Sequence, residues 1–142
     1  MSRETDLAWF AGIIDGEGCI RGYRTKVIKG KSGVNLSVTV QMTSKRTIVN
    51  LKRIAKMGTI LEKKRVKHYR QIYVWAVWAQ QGAKLLKEIL PFLYTKQKQA
   101  KIFLKIAESM NYKKLRGRTS ERERKWQDKF LKKLKDLKYI KE

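Results

Sequence analysis

The chain has 142 residues, 42% of them hydrophobic, which suits one compact domain with its own core. Lys and Arg number 35 against 12 Asp and Glu, a formal net charge of +23. Solubility alone needs only about 2–8, so the excess points to a polyanionic partner. Nucleic acid comes before an anionic membrane surface, because the charge is spread along the chain and not confined to one amphipathic helix. One cysteine, Cys19, excludes an intramolecular disulfide and fits a reducing, intracellular compartment; one histidine, His68, with no Cys/His cluster, argues against zinc. The start, Met-Ser-Arg-Glu-Thr, does not read as a signal peptide.

In chain order, Thr5 or Asp6 is expected to cap a first helix ending near Gly16. Residues 19–28 read as a strand carrying Arg21, Tyr23, Arg24, Thr25 and Lys26, turned by Lys-Gly-Lys-Ser-Gly at 29–33. Residues 36–43 are the cleanest strand: Leu36, Val38, Val40 and Met42 alternate with Ser37, Thr39, Gln41 and Thr43, which makes one apolar and one polar face. Ser44 caps a helix to about Met57, with Gly58 closing it. Residues 59–65 and 69–79 form a second expected hairpin with a basic tip that includes Lys63 and Arg65. Residues 72–79 are apolar on both faces, so the pattern does not say which face Tyr73, Trp75 and Trp78 take.

Residues 83–90 predict a short helix stopped by Pro91, and residues 95–110 a longer one with Ala100, Phe103, Leu104 and Ala107 on one stripe. A basic loop, 111–118, precedes the capping box Ser-Glu-Arg-Glu at 120–123. That box opens a last helix with Trp126, Phe130, Leu134 and Leu137 on one face. The order is α-β-β-α-β-β-α-α-α, an α+β chain.

Residues 7–20 organise the rest. Eight apolar or glycine residues, 7–14, precede Asp15 and Glu17, which alternate with Gly16 and Gly18. The run is far too short for a bilayer, which needs about 20 residues. Helical spacing puts Ala8, Ala11, Gly12, Asp15 and Gly16 on one face, where their small size lets another backbone approach. Carboxylates at a helix C-terminus oppose the dipole by roughly 0.3–1 kcal/mol each. A bound cation would relieve that cost. An acidic turn whose carboxylates pair with lysines would relieve it too, and spacing does not choose between them.

Residues 10–18, Phe-Ala-Gly-Ile-Ile-Asp-Gly-Glu-Gly, resemble the LAGLIDADG motif of homing endonucleases, and Leu7-Ala8 and Cys19-Ile20 fit its flanks. Residues 90–100 resemble the family's junction between third and fourth helices, and the element order matches its one-motif members over roughly residues 7–110. The resemblance implies a single domain over 1–142: an αββαββα core at about 5–110 with a four-stranded antiparallel saddle sheet, then a basic loop and C-terminal helix at 111–142.

It implies a homodimer paired through Ala8, Ala11, Gly12 and Asp15, with Asp15 otherwise structural. It implies Mg²⁺ or another divalent metal held by Glu17 with carbonyls near Gly16, and Lys96 near the scissile phosphate. Double-stranded DNA would meet the sheet at Arg21, Tyr23, Thr25, Ser37, Thr39, Gln41, Lys63 and Arg65. The implied activity is an intron-encoded, site-specific endonuclease that cuts a long, roughly palindromic target. Two departures stand out: Glu17 replaces the more usual Asp, and Ser44 lies where relatives carry a Gln or Lys that orders water, with Lys45 or Arg46 as possible substitutes. An intron-RNA-binding maturase and a non-cleaving DNA-binding regulator are the alternative functions on the same fold. Cytoplasm, nucleoid and organelle are not distinguished.

Overall fold

The computed structural model describes residues 2–26, 33–64, 66–111 and 121–138. Helix α1 (Arg3–Glu17) runs into strand β1 (Gly18–Arg24), which pairs with β2 (Val34–Met42). Then come α2 (Lys45–Ala55), β3 (Thr59–Glu62), β4 (Tyr73–Trp78), α3 (Ala79–Ile89), a 3-10 turn at Leu90–Phe92, α4 (Gln97–Asn111) and α5 (Glu121–Leu137). The four strands form one antiparallel sheet in the order β1-β2-β4-β3.

Alternation decides the faces. Ile20, Leu36, Val38, Val40, Trp75 and Val77 point inward and are buried beneath the helices. The opposite face carries rows fixed by the register: Arg21, Ser37 and Trp78; Cys19, Thr39, Ala76 and Thr59; Gln41, Val74 and Leu61. Trp75 and Trp78 are three residues apart and so take opposite faces, which the doubly apolar strand pattern had left open. Trp75 is fully buried, packs edge-on against Phe10 of α1 at 5.2 Å between centroids, and donates its indole N–H to the Met57 carbonyl at 3.1 Å.

Helix α5 belongs to the same core through Leu131 and Leu134. It lies on β1 because Gly22 has no side chain: a Cβ there would come within 2.8–3.3 Å of Leu36, Leu131 and Leu134. Arg24 ties the two together through Asp128, at 2.7 Å.

Several boundaries differ from expectation. Ser2, not Thr5 or Asp6, caps α1 by accepting from the Thr5 amide; Asp6 instead faces Arg53 at 3.9 Å. Lys56, in the left-handed region, ends α2, and Gly58 serves packing against Trp75 and the Ala76 backbone. β3 stops at Glu62 and β4 starts at Tyr73, with the Lys63 amide still donating to the Ile72 carbonyl at 3.0 Å just beyond them. α3 begins at Ala79 directly after β4, through a left-handed φ of 48°. The inward stripe of α5 is Gln127, Leu131 and Leu134; Trp126 sits at its margin against Phe130 and stays partly exposed. Residues 27–32, 65 and 112–120 carry the expected first turn, Arg65 and most of the basic loop, and lie outside the described residues. Among the described residues no helix is long and apolar enough to cross a membrane.

Candidate active site

α1 passes into β1 without a loop. Gly18 makes this possible: a Cβ there would sit 2.7 Å from the Ile14 carbonyl oxygen and 2.8 Å from its Cα. The Gly18 amide closes the helix on that same carbonyl. The motif therefore ends on a sharp ledge, residues 15–18, at the junction of helix and sheet.

The two acids on this ledge have separate fates. Asp15 turns toward the start of α4: the Tyr94 amide donates to Oδ2 at 2.8 Å and the Lys96 amide to Oδ1 at 2.9 Å. The Lys96 ammonium returns the contact, donating to the carbonyls of Ile14 at 2.9 Å, Asp15 at 3.1 Å and Gly18 at 2.6 Å. A cation thus neutralises the negative end of α1, as the dipole favours, and the protein supplies it. Burial pushes the Lys96 pKa below the ordinary lysine value, against the opposing pull of Asp15, Cys19 and Glu17. Glu17 stays exposed, beside a cleft formed with Gln41, Met42, Thr43 and Ile72. The two acids therefore differ from a simple pairing with lysines: Asp15 is held by backbone amides within the fold, and Glu17 faces solvent.

Among the described residues no three His, Cys, Asp or Glu side chains cluster as a metal site. The ledge offers the Glu17 carboxylate and, beside it, the Gly16 backbone. These are oxygen donors only, the set that suits a hard divalent ion such as Mg²⁺. Mg²⁺ commonly takes one or two carboxylates and completes its shell with substrate phosphate and water. The residues present fit an ion that takes the rest of its shell from outside the chain, not a self-contained protein cage.

The remaining site residues sort by face. On α1, Ala8, Gly12 and Gly16 are exposed, and a Cβ at either glycine would meet nothing within 4 Å. Ala11 departs from its expected place: it lies on the inward stripe with Leu7, Phe10 and Ile14 and is buried in the chain's own core. The Asp15 carboxylate, expected on the pairing face, is bonded within the chain instead.

Arg21, Tyr23, Thr39 and Gln41 share the outer sheet face, with the Arg21 guanidinium 5.5 Å from the Tyr23 ring centroid. Lys63 is exposed just past β3. Ser37 points the same way but is only 7% exposed between Arg21 and Trp78, so its expected contact with a ligand is sterically covered. Thr25 spends its hydroxyl on Gly33, accepting from the amide at 2.7 Å. The Ser44 hydroxyl is likewise committed, accepting from the Thr47 amide as the cap of α2.

One residue of this region had its face left open by the sequence, and another was not foreseen. Trp78 stands 41% exposed in the Arg21–Ser37 row; its odd spacing from a buried Trp75 was the available signal. Lys138, at the end of α5, reaches within 3.5 Å of the Cys19 sulfur, and no local pattern announces that contact.

Fold and ledge define the class: the chain has the fold of the LAGLIDADG homing endonucleases. It superimposes on the homing endonuclease I-CvuI in complex with a DNA target with a TM-score of 0.81 at 23% identity, covering 99% of this chain and 86% of that one. The archaeal intron-encoded homing endonuclease I-Vdi141I, complexed with DNA, matches with a TM-score of 0.79 at 17% identity over 96% and 86%. The LAGLIDADG homing endonuclease I-LtrWI, bound to target DNA, matches with a TM-score of 0.67 at 20% identity over 94% of this chain and 44% of its own. At these identities what is shared is the fold, and with I-CvuI it extends through α5. No protein-family model matches the sequence, and no curated protein matches it significantly.

Proposed function

We propose that this chain is a site-specific DNA endonuclease that acts inside the cell as a homodimer. It hydrolyses one phosphodiester in each strand of a long, roughly palindromic duplex with a divalent metal, Mg²⁺ first. The observation that carries this reading is the exposed Glu17 at the end of the motif helix, beside an outer sheet face lined by Arg21, Tyr23, Thr39 and Gln41. An intron-encoded origin is part of the proposal, by likeness to I-Vdi141I.

The outer face suits a major groove: Gln pairs bidentately with adenine and Arg with guanine, and Trp78 offers an apolar surface for a thymine methyl. The surrounding lysines bind phosphates and set register without reading sequence. The exposed small face at Ala8, Gly12 and Gly16 receives the same face of a second copy, which supports a two-fold pairing. Two copies of Glu17 then lie near one axis, one for each strand, and a symmetric reader implies a near-palindromic target. Glu17, with the Gly16 carbonyl, would hold the ion against the scissile phosphate. When bound, such an ion supplies an activated water and neutralises charge at the leaving oxygen. Lys96 adds positive charge beneath the ledge.

The test uses a plasmid library carrying randomised palindromic sites, the purified full chain and Mg²⁺. Linearisation at one selected sequence is expected, together with a dimer by light scattering. Glu17→Gln should bind that site in Ca²⁺ but lose cleavage by about 100-fold or more, on the order of 3 kcal/mol of transition-state stabilisation. A protein that selects no site, or a Glu17→Gln variant that cuts as fast as the native chain, overturns the reading.

A further inference from the structure

The contacts between the α1 ledge and the start of α4 run in both directions. Asp15 receives two amides from residues 94–96, and Lys96 gives its ammonium to three carbonyls of residues 14–18. An ammonium has three N–H donors, and here all three are spent. The carbonyls it holds, Ile14, Asp15 and Gly18, lie on both sides of the Gly16–Glu17 pair. A helix leaves its last carbonyls without internal partners, and here one side chain gathers that of Asp15, the Ile14 carbonyl that the Gly18 amide also reaches, and the first carbonyl of β1.

Packing does little to hold Gly16 and Glu17: a Cβ at Gly16 would find open space, and Glu17 is exposed. The direction in which Glu17 leaves the backbone is therefore set by the last turn of α1, by this clasp and by the tight fit at Gly18.

We propose that Asp15 and Lys96 form one reciprocal clasp that positions Glu17 and the Gly16 carbonyl, and that Lys96 serves as a positioning residue rather than a direct phosphate ligand. A direct bond to phosphate would require Lys96 to release one of its three carbonyls. Each Asp15 oxygen accepts an amide, and the carboxylate turns away from Glu17 toward the start of α4. The inference rests on the endonuclease reading only for its functional consequence; the clasp can be measured without it.

The experiment compares the native full chain with Asp15→Asn, Lys96→Met and the double variant. Three quantities are read: amide hydrogen exchange at residues 16–18 and at Tyr94 and Lys96, the affinity of the protein–DNA complex for Ca²⁺ by calorimetry, and the single-turnover cleavage rate against Mg²⁺ concentration. Each single variant is expected to speed exchange at residues 16–18 and to weaken Ca²⁺ binding about fivefold or more. Each should also raise the Mg²⁺ concentration for half-maximal rate to match, with the double variant no worse than the worse single one, as expected for members of one unit. Lys96→Arg should not restore the native values, because a planar guanidinium cannot converge on three carbonyls as an ammonium does.

A Lys96→Met variant that cuts slowly with unchanged Ca²⁺ affinity and unchanged Mg²⁺ midpoint overturns the proposal in favour of direct action on phosphate. Multiplying defects in the double variant overturn it as well. Should Lys96→Met not fold, Asp15→Asn decides, since Asn still accepts one amide: native exchange and native Ca²⁺ affinity in that variant refute the clasp. A native chain that never cuts DNA defeats the endonuclease reading, while the exchange data still decide the clasp.

Discussion

Gly58→Ala tests how the motif helix is seated. Gly58 has φ of 99°, and a Cβ there would lie 2.9 Å from the Ala76 carbonyl oxygen and nearer still to the Trp75 indole nitrogen. Neither neighbour has room to move: Ala76 is central backbone of the sheet, and Trp75 is fully buried with its N–H on Met57 and its ring edge-on to Phe10. A left-handed backbone costs a residue with a Cβ about 1–2 kcal/mol. Overpacking a well-filled core adds roughly 1–3 kcal/mol. The expected destabilisation is about 2–5 kcal/mol, which for a domain of this size lowers the melting temperature by roughly 6–15 °C. Thermal and urea unfolding followed by circular dichroism read this directly, with an unchanged m-value confirming that the unfolded state is the same. A loss below about 1 kcal/mol would refute both the strained backbone and the contact with Trp75.

Other outcomes follow from the same geometry. Gly12→Leu should leave the subunit folded, because a side chain there enters open space, yet shift light scattering from dimer to monomer; a dimer that persists rejects α1 as the pairing face. Ser44→Ala should destabilise by about 1 kcal/mol through loss of a helix cap, with the Mg²⁺ dependence of cleavage unaltered, since the hydroxyl is engaged by Thr47. Trp78→Ser should weaken binding to the selected site about tenfold, roughly 1.4 kcal/mol. Replacing thymine by deoxyuridine at the contacted base should have less effect on that variant than on the native chain, and an equal effect on both removes Trp78 from base reading. Lys63→Ala should lower the slope of log K against log salt by about 1 if it meets a phosphate, and an unchanged slope would mean that it does not.

Much of this molecule was legible in one dimension because its local periods agree with its elements. The alternation from Leu36 to Met42 announced a strand with one buried face, and those residues build the sheet centre. Of the expected stripe Ala100, Phe103, Leu104 and Ala107, three lie on the buried side of α4 and Leu104 is only partly buried at its margin. Boundaries failed where a cap lay outside the periodic segment, as with Ser2 and Lys56. They also failed where a left-handed residue let a helix begin with no loop, as at Ala79. Ala11 failed for another reason: in a helix apolar on nearly all sides, the pattern cannot tell the face that meets the chain's own core from the face left outside.

Local sequence determined the order of elements, the polar and apolar sides of β2, the small-residue helix ending in two acids, and the excess of positive charge. Each follows from residues within a few positions of one another. Tertiary structure alone decided which acid is spent and which is exposed, that Lys96 grips three carbonyls of the ledge, that Ser37 is covered by its neighbours in the row, and that Trp78 looks outward. Those outcomes depend on hydrogen bonds and strand registers between residues as far apart as Asp15 and Lys96. A period of two or of 3.6 residues carries no record of a partner at that distance.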